Sequence, residues 1–380
     1  MLKVEDFVKS LNHELGVDSY FGVPDSVLRE LCRYLTYGVD GVARHVVGVN
    51  EGNCVALAAG RYLATGMPSC VYMQNSGIGN CVNPILSLTS AEVYNIPIVY
   101  LIGWRGAPGE KDEPQHIAQG KRTTQLLELL DINYEVIDES ISANELIDVM
   151  KKFNALIKSE ASVAFLIKKG SFAPVEYKSP KNGFSLIREE VLEEVARRFA
   201  EDKFVCSTGM VSREMFEVRE RLQMTHEHDF LMVGSMGHAS AIALGAASAL
   251  IGKKRLWCLD GDGSALMHMG SFATFGAFEA NCAETLLVHL VFNNACHESV
   301  GKIPSVGADI DFCKIADACG YDEVFTAGTN EELSSVMDAV ESAVKGKILI
   351  EARIAVASRA DLGRPTQSPA ECKEQFMRGF

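Results

Sequence analysis

The chain has 380 residues, with 36 basic and 50 acidic side chains and a net charge of −14. That length favours two domains over a single core. The acidic balance argues against nucleic acid or an anionic membrane as the main partner. Hydrophobic residues at 47% and charged residues at 23% are ordinary for a soluble globular protein. The 11 cysteines form no CxxC pair, so they are expected to be reduced, cytoplasmic and mostly small core residues. Met1-Leu2-Lys3-Val4-Glu5-Asp6 has no apolar leader pattern, and the small-apolar stretch from Ala239 to Ile251 is too short to span a bilayer.

In chain order, residues 4–15 are amphipathic and Tyr20-Phe21-Gly22-Val23 reads as a strand. Asp25 then caps a helix running toward Tyr37, and residues 51–65 read as a helix closed near Gly66. The runs Ser69–Met73, Ile96–Ile102 and Val163–Ile167 have strand length, with helical patterns near 79–91, 122–130 and 143–158 between them. Glycines and prolines at 170, 174, 180 and 183 then mark a linker. The rhythm restarts with strands predicted at 203–207, 230–233, 255–259, 286–292, 323–326 and 347–353. Helices are predicted at 186–200, 211–222, 238–251, 265–279, 311–318 and 330–345. Such βαβ alternation predicts an α/β protein of two doubly wound parallel-sheet domains, 1–169 and 185–357, joined by a linker at 170–184. The tail, 358–380, is polar and is expected to lie on the surface or reach across a neighbour.

Two short strings carry the chemistry: Gly261-Asp262-Gly263-Ser264 and Asn293-Asn294. The first follows the apolar run Leu256 to Leu259 and the second follows Leu286 to Phe292, so each sits where a buried parallel strand ends. Ligands of open α/β sheets bind at those ends. Asp262 can offer a carboxylate oxygen to Mg²⁺, Asn294 an amide oxygen, and the backbone near Cys296 a carbonyl, leaving the metal to share a diphosphate. The plainer alternative is two unrelated turns.

The pair resembles the cofactor signature of thiamine-diphosphate-dependent enzymes. The resemblance implies that Asp262 and Asn294 bind the metal and that Gly263 and Ser264 touch the diphosphate. It also matches Gly234-Ser235-Met236-Gly237-His238 to the segment before a helix whose N-terminus faces the diphosphate. Met236 would then hold the cofactor bent, although alone it reads as ordinary core. The family needs a glutamate whose carboxyl pairs with the aminopyrimidine ring; Glu51, opening an alanine-rich helix after Val49, is the match. Taken alone, Glu51 would only favour a helix dipole. The family builds this site from two subunits, which implies a dimer or larger homo-oligomer. The two domains would be pyrimidine-binding and diphosphate-binding.

Further strings resemble a compact subgroup of the family that acts on 2-oxo acids bearing a phosphonate. They are Tyr72 to Gly77 with Asn80, Ile102 to Gly106, Lys111 to His116, His297 to Gly301 and Ala360 to Pro365. The resemblance implies loss of carbon dioxide from such an acid; a sulfonate analogue or a carboligation are the alternatives. Proton handling falls to His116, Asp25 and His297, since imidazole titrates near working pH. Asp25 reads equally as a helix N-cap. Arg105, Lys111, Lys302 and Arg364 are the candidate partners for the phosphonate, and at least two of them are expected to be solvated loop charges. The chain departs from the subgroup at Lys302-Ile303-Pro304, where Gly-Gln-Pro is expected. Gly77-Ile78-Gly79 is too weak a glycine turn to argue for a dinucleotide.

Overall fold

The computed structural model describes residues 1–38, 44–177, 181–250, 254–279 and 285–379. Linker residues 178–180 and the end of the expected helix at Ile251 lie outside these. The chain forms two compact units: Met1–Ser179 with Ser299–Ile303, and Pro180–Glu298 with Pro304–Phe380.

The first unit contains α1 (Val4–Leu15), β1 (Ser19–Gly22), α2 (Arg29–Tyr37), β2 (Arg44–Val47), α3 (Glu51–Thr65), β3 (Ser69–Gln74) and α4 (Ile78–Pro84). It continues with β4 (Ile98–Gly103), α5 (Pro114–Gly120), α6 (Thr123–Leu129), β5 (Asn133–Ile137), α7 (Ala143–Lys158) and β6 (Val163–Ile167). The sheet runs β2-β1-β3-β4-β6-β5, with every pairing parallel. Its core packs by aromatic edges: Phe153 and Phe7 meet Phe165 at 4.8 and 5.5 Å.

The second half of the chain contains α8 (Arg188–Arg198), β7 (Lys203–Cys206), α9 (Met210–Leu222), β8 (Asp229–Leu231), α10 (Ala239–Ala247), β9 (Lys254–Gly261), α11 (Asp262–Met267) and α12 (Ser271–Ala277). Then come β10 (Thr285–Asn293), β11 (Cys296–His297), β12 (Ile303–Pro304), α13 (Phe312–Ala318), β13 (Glu323–Ala327), α14 (Asn330–Ser342), β14 (Gly346–Arg353) and α15 (Pro369–Arg378). The sheet runs β13-β14-β10-β9-β7-β8, again with parallel pairings. Trp257, fully buried on β9, packs on Phe199 and Phe204 and donates its indole N–H to Asp202 at 2.9 Å. Burying one such side chain contributes roughly 1.5–3 kcal/mol.

When sheet strands are counted within each unit, both sheets share one strand order. The order reverses between β1 and β3 in the first sheet and between β7 and β9 in the second. Such switch points, at the carboxyl ends of the strands, are where open α/β sheets bind ligands.

Several elements differ from expectation. β5 was not predicted, because an edge strand with Asn133 and Val136 exposed and Glu135 half-buried offers no continuous apolar run. The helix expected over 265–279 begins at Asp262 and breaks between Met267 and Ser271. The helix expected over 79–91 is α4 followed by one π-helical turn, Ile85–Thr89. The tail carries α15, started by a Ser368–Glu371 capping box. Its Cys372 and Phe376 are buried, and the Cys372 thiol accepts the Leu231 N–H on edge strand β8 at 3.3 Å. No helix among the described residues is long and apolar enough to cross a membrane.

Candidate active site

β9 ends at Gly261 and α11 begins at Asp262, so the Asp262 carboxylate sits on the switch-point edge of the second sheet. Asp262 is buried, and Ser305 donates its hydroxyl to Oδ2. Burial pushes the Asp262 carboxyl up to about 6, with the Ser305 hydrogen bond pulling the other way. Gly307 closes the same corner: a Cβ there would lie 2.8 Å from both Asp262 Oδ2 and Asn293 Oδ1.

The chain leaves β10 through two successive side-chain turns. Asn293 Oδ1 accepts the Ala295 N–H and Asn294 Oδ1 accepts the Cys296 N–H, each at 3.0 Å. Ala295 takes up a left-handed φ of 56° to complete the bend. Asn293 Nδ2 donates to the Gly307 carbonyl at 2.8 Å and to the buried Glu351 carboxylate at 2.7 Å. Asn293 thus uses both Nδ2 donors to shape the turn, while Asn294 Oδ1 accepts one N–H and keeps a second lone pair.

The loop after β8 faces this corner. Gly234, Ser235 and Gly237 have φ of 76°, 51° and 85°. The Gly234 N–H is held by Thr208 at 2.9 Å and the Gly237 N–H by Ser264 Oγ at 3.1 Å. A Cβ on Gly263 would lie 3.1 Å from His297 Nδ1 and 3.4 Å from Met236 Cε. Met236 is half-buried and so is not ordinary core. Burial lowers the His297 imidazole to about 4.

In the first unit, Glu51 is the first residue of α3, which Asn50 caps by accepting the Gly52 and Asn53 N–H groups. The Glu51 carboxylate is 5% exposed, and Asn80 Nδ2 donates to Oε2 at 2.7 Å. Gly77 presses close: a Cβ there would lie 2.5 Å from Glu51 Oε1. Burial raises the Glu51 carboxyl above its ordinary range.

Asp25 follows β1 and is fully buried. It accepts from Gln74 Nε2 at 2.7 Å and from the Val27 and Leu28 N–H groups at 2.9 and 3.1 Å. The helix toward Tyr37 starts at Arg29 with Leu28 at its N-cap and no side-chain cap, so Asp25 closes the turn before the helix instead of capping it. Burial raises this carboxyl too. Arg105 pairs in a fork with Asp112 at 2.7 and 2.5 Å and donates to Ser26 at 2.8 Å. His116 lies on α5, its Nδ1 buried without a hydrogen-bond partner, and burial followed by Arg105 lowers its imidazole to about 4. Lys111 and Arg364 are exposed. Lys302 is half-buried with φ of 59°, and its carbonyl accepts the Tyr37 hydroxyl at 2.9 Å.

Residues 3–126 match the thiamine pyrophosphate enzyme N-terminal TPP binding domain, and residues 206–352 match the C-terminal TPP binding domain. The phosphonopyruvate decarboxylase of Streptomyces viridochromogenes is 34% identical over 99% of this chain and 94% of its own length. That of Streptomyces hygroscopicus is 34% identical over 99% and 93%. The chain belongs to the phosphonopyruvate decarboxylase family of thiamine pyrophosphate enzymes. The sulfopyruvate decarboxylase of Methanosarcina acetivorans is 28% identical over 74% of each chain.

The second-unit corner fits the cofactor. Its donor set is all oxygen, which suits a hard dication, and Gly263 and Gly307 keep clear the space that side chains would fill. A loop with three left-handed residues leads into the nine-residue α10, and a helix N-terminus favours an anion. Sequence reading missed Ser305 and Gly307, which reach Asp262 only through the tertiary fold. Ser305-Val306-Gly307 following the asparagine pair is the one signal available, and it is faint.

Proposed function

We propose that this chain, with thiamine diphosphate and Mg²⁺, decarboxylates 3-phosphonopyruvate to phosphonoacetaldehyde. The carrying observation is the near full-length identity to two phosphonopyruvate decarboxylases in a chain that keeps both Glu51 and the Asp262–Asn294 corner. When bound, the cofactor supplies a nucleophilic carbon and an electron sink for the bond that breaks.

The chain's residues supply the rest. Asp262, Asn294 and the Cys296 carbonyl hold the metal; Gly263, Ser264, Gly234 and Ser235 line the diphosphate; Met236 and Asn80 shape the rest of the cofactor pocket. Glu51, its proton affinity raised by burial, holds a proton at its carboxyl and shares it with a ring nitrogen. His116 and His297, neutral at pH 7, accept hydrogen bonds at their free nitrogens, and Asp25 keeps the loop after β1 in register. In this reading Glu51 and the metal corner come from different subunits of a homodimer or larger assembly, in the cytoplasm. Among the described residues, 10 free cysteines support a reducing setting.

For the phosphonate, Arg105, Lys111, Lys302 and Arg364 remain the cationic candidates. Arg105 already commits two donors to Asp112, which favours a role in holding that loop. The likeness to sulfopyruvate decarboxylase supports a second reading, a sulfonate substrate. Carbon dioxide release measured with phosphonopyruvate and sulfopyruvate side by side decides. Turnover of sulfopyruvate equal to or above that of phosphonopyruvate overturns the substrate assignment.

A further inference from the structure

Glu298 stands in the string His297-Glu298-Ser299 and has no part in the roles above, yet it is among the most heavily bonded carboxylates of the second unit. Its side chain is 4% exposed. Oε1 accepts from the Ser358 N–H and Oγ–H, both at 2.9 Å. Oε2 accepts from Arg188 Nη1 and Nη2 and from Asn294 Nδ2, each at 3.2 Å. Arg188 is independently paired with Glu214 through Nε and Nη2 at 2.8 Å.

The Asn294 contact has a directional consequence. An ionised carboxylate only accepts, so the amide face turned toward Glu298 is the NH₂. Oδ1 is then fixed on the opposite side, where it takes the Cys296 N–H with one lone pair and has the other to offer. The Cys296 N–H holds the amide at its oxygen and Glu298 holds it at its nitrogen, so the two contacts together oppose a flip that would turn nitrogen toward a cation. We propose that Glu298 is a positioning residue for the metal site: it fixes the Asn294 amide with oxygen toward the cation and ties that amide to the start of the C-terminal segment at Ser358. The inference rests on the metal-site reading of Asp262 and Asn294. Partners of this kind, one step behind a ligand, typically change metal affinity about 10- to 100-fold when lost.

Glu298→Gln is the informative change. A glutamine can accept at one end only, so it must set NH₂ against the Ser358 N–H or against Asn294 and Arg188. Arg188 stays compensated by Glu214, which protects the fold. The readout is thermal stabilisation by thiamine diphosphate at saturating concentration, titrated with Mg²⁺. We expect the Mg²⁺ midpoint of Glu298→Gln to rise at least 10-fold. Glu214→Gln, which removes the other partner of Arg188 without touching Asn294, should lower the melting temperature and leave the midpoint in place. Should Glu298→Gln fail to fold, Glu298→Asp keeps the charge beside Arg188 but is too short to reach both Ser358 and Asn294; its midpoint should rise in the same direction. A wild-type midpoint in the folded Glu298 variant, or an equal shift in Glu214→Gln, overturns the positioning role alone. A wild-type protein whose stabilisation ignores Mg²⁺ overturns the metal-site reading and this inference with it.

Discussion

Glu51 and Asp262 begin helices directly after the carboxyl end of a strand or its following turn, one in each unit, and burial raises the proton affinity of both. They differ in how they are held. Asp262 is braced by Ser305 and backed by Gly307, with Asn293 and Glu351 behind it. Glu51 is steadied by Asn80 and crowded by Gly77. The difference matches two kinds of work. The metal ligand proposed for Asp262 must stay ionised in one place, and the Ser305 hydroxyl favours the ionised form. A carboxyl that lends and recovers a proton needs a raised affinity and few competing donors.

Asp262→Asn tests the braced side and should have the largest effect. Mg²⁺-dependent stabilisation by thiamine diphosphate should vanish and carbon dioxide release should fall below detection, while the metal-free fold persists because a buried charge has been removed. Retained Mg²⁺-dependent stabilisation would mean that Asp262 does not hold the metal. Glu51→Gln tests the lightly held side. Turnover should fall about 10²- to 10⁴-fold, whereas the cofactor-induced rise in melting temperature should stay close to wild type. If binding and turnover fell together, Glu51 would be bracing the site as Asp262 does.

The two sides were not equally legible in the sequence. Residues 256–259 of β9 and 286–292 of β10 are buried on both faces and read as largely apolar runs, with His289 the one polar residue, which exposed the strings at their ends. Glu51 was visible only as a glutamate at a helix start, and its meaning came from resemblance. Ser305 and Gly307 lie about forty residues beyond Asp262 and were hidden, because a hydroxyl reaching back to a carboxylate leaves no periodic trace. β2 and β5 are edge strands with half-exposed patterns, which hides them for a related reason. In the tail, Cys372 and Phe376 make too narrow an apolar face to outweigh the surrounding charge. The shared strand order of the two sheets cannot be read locally at all, since it is decided by which buried edges pair.

The charged loop of the first unit offers a pH-dependent test. The His116 imidazole is pulled below its ordinary value, to about 4, chiefly by burial. The unfolded chain therefore binds this proton more readily than the folded one. Its contribution to stability is full above about pH 6.5 and is lost as pH falls toward 4. Thermal melts of wild type and His116→Asn between pH 4 and 7.5 should show the wild type losing ground to the variant as pH falls. A gap that stays constant with pH would mean that His116 titrates normally and is no more buried than a surface histidine.

Lys302 is expected to have the smallest effect and discriminates most finely. Its φ of 59° is one that glycine adopts freely and a β-carbon resists by about 1–2 kcal/mol. Glycine in turn loses more backbone entropy on folding, roughly 0.5–1 kcal/mol. The net gain for Lys302→Gly is thus under about 1 kcal/mol, a rise of a few degrees at most in melting temperature. A chain that keeps lysine where glycine is easier is either tolerating a small strain or using the ammonium. The two separate on KM. If Lys302 holds the phosphonate, Lys302→Gly should melt slightly higher yet show KM for phosphonopyruvate raised several-fold with kcat little altered. The Tyr37 bond to the residue 302 carbonyl survives the change, so the backbone stays in place. An unchanged KM would remove Lys302 from the phosphonate site and leave Ile303, fully buried in the first unit's core, as the reason this segment is built as it is.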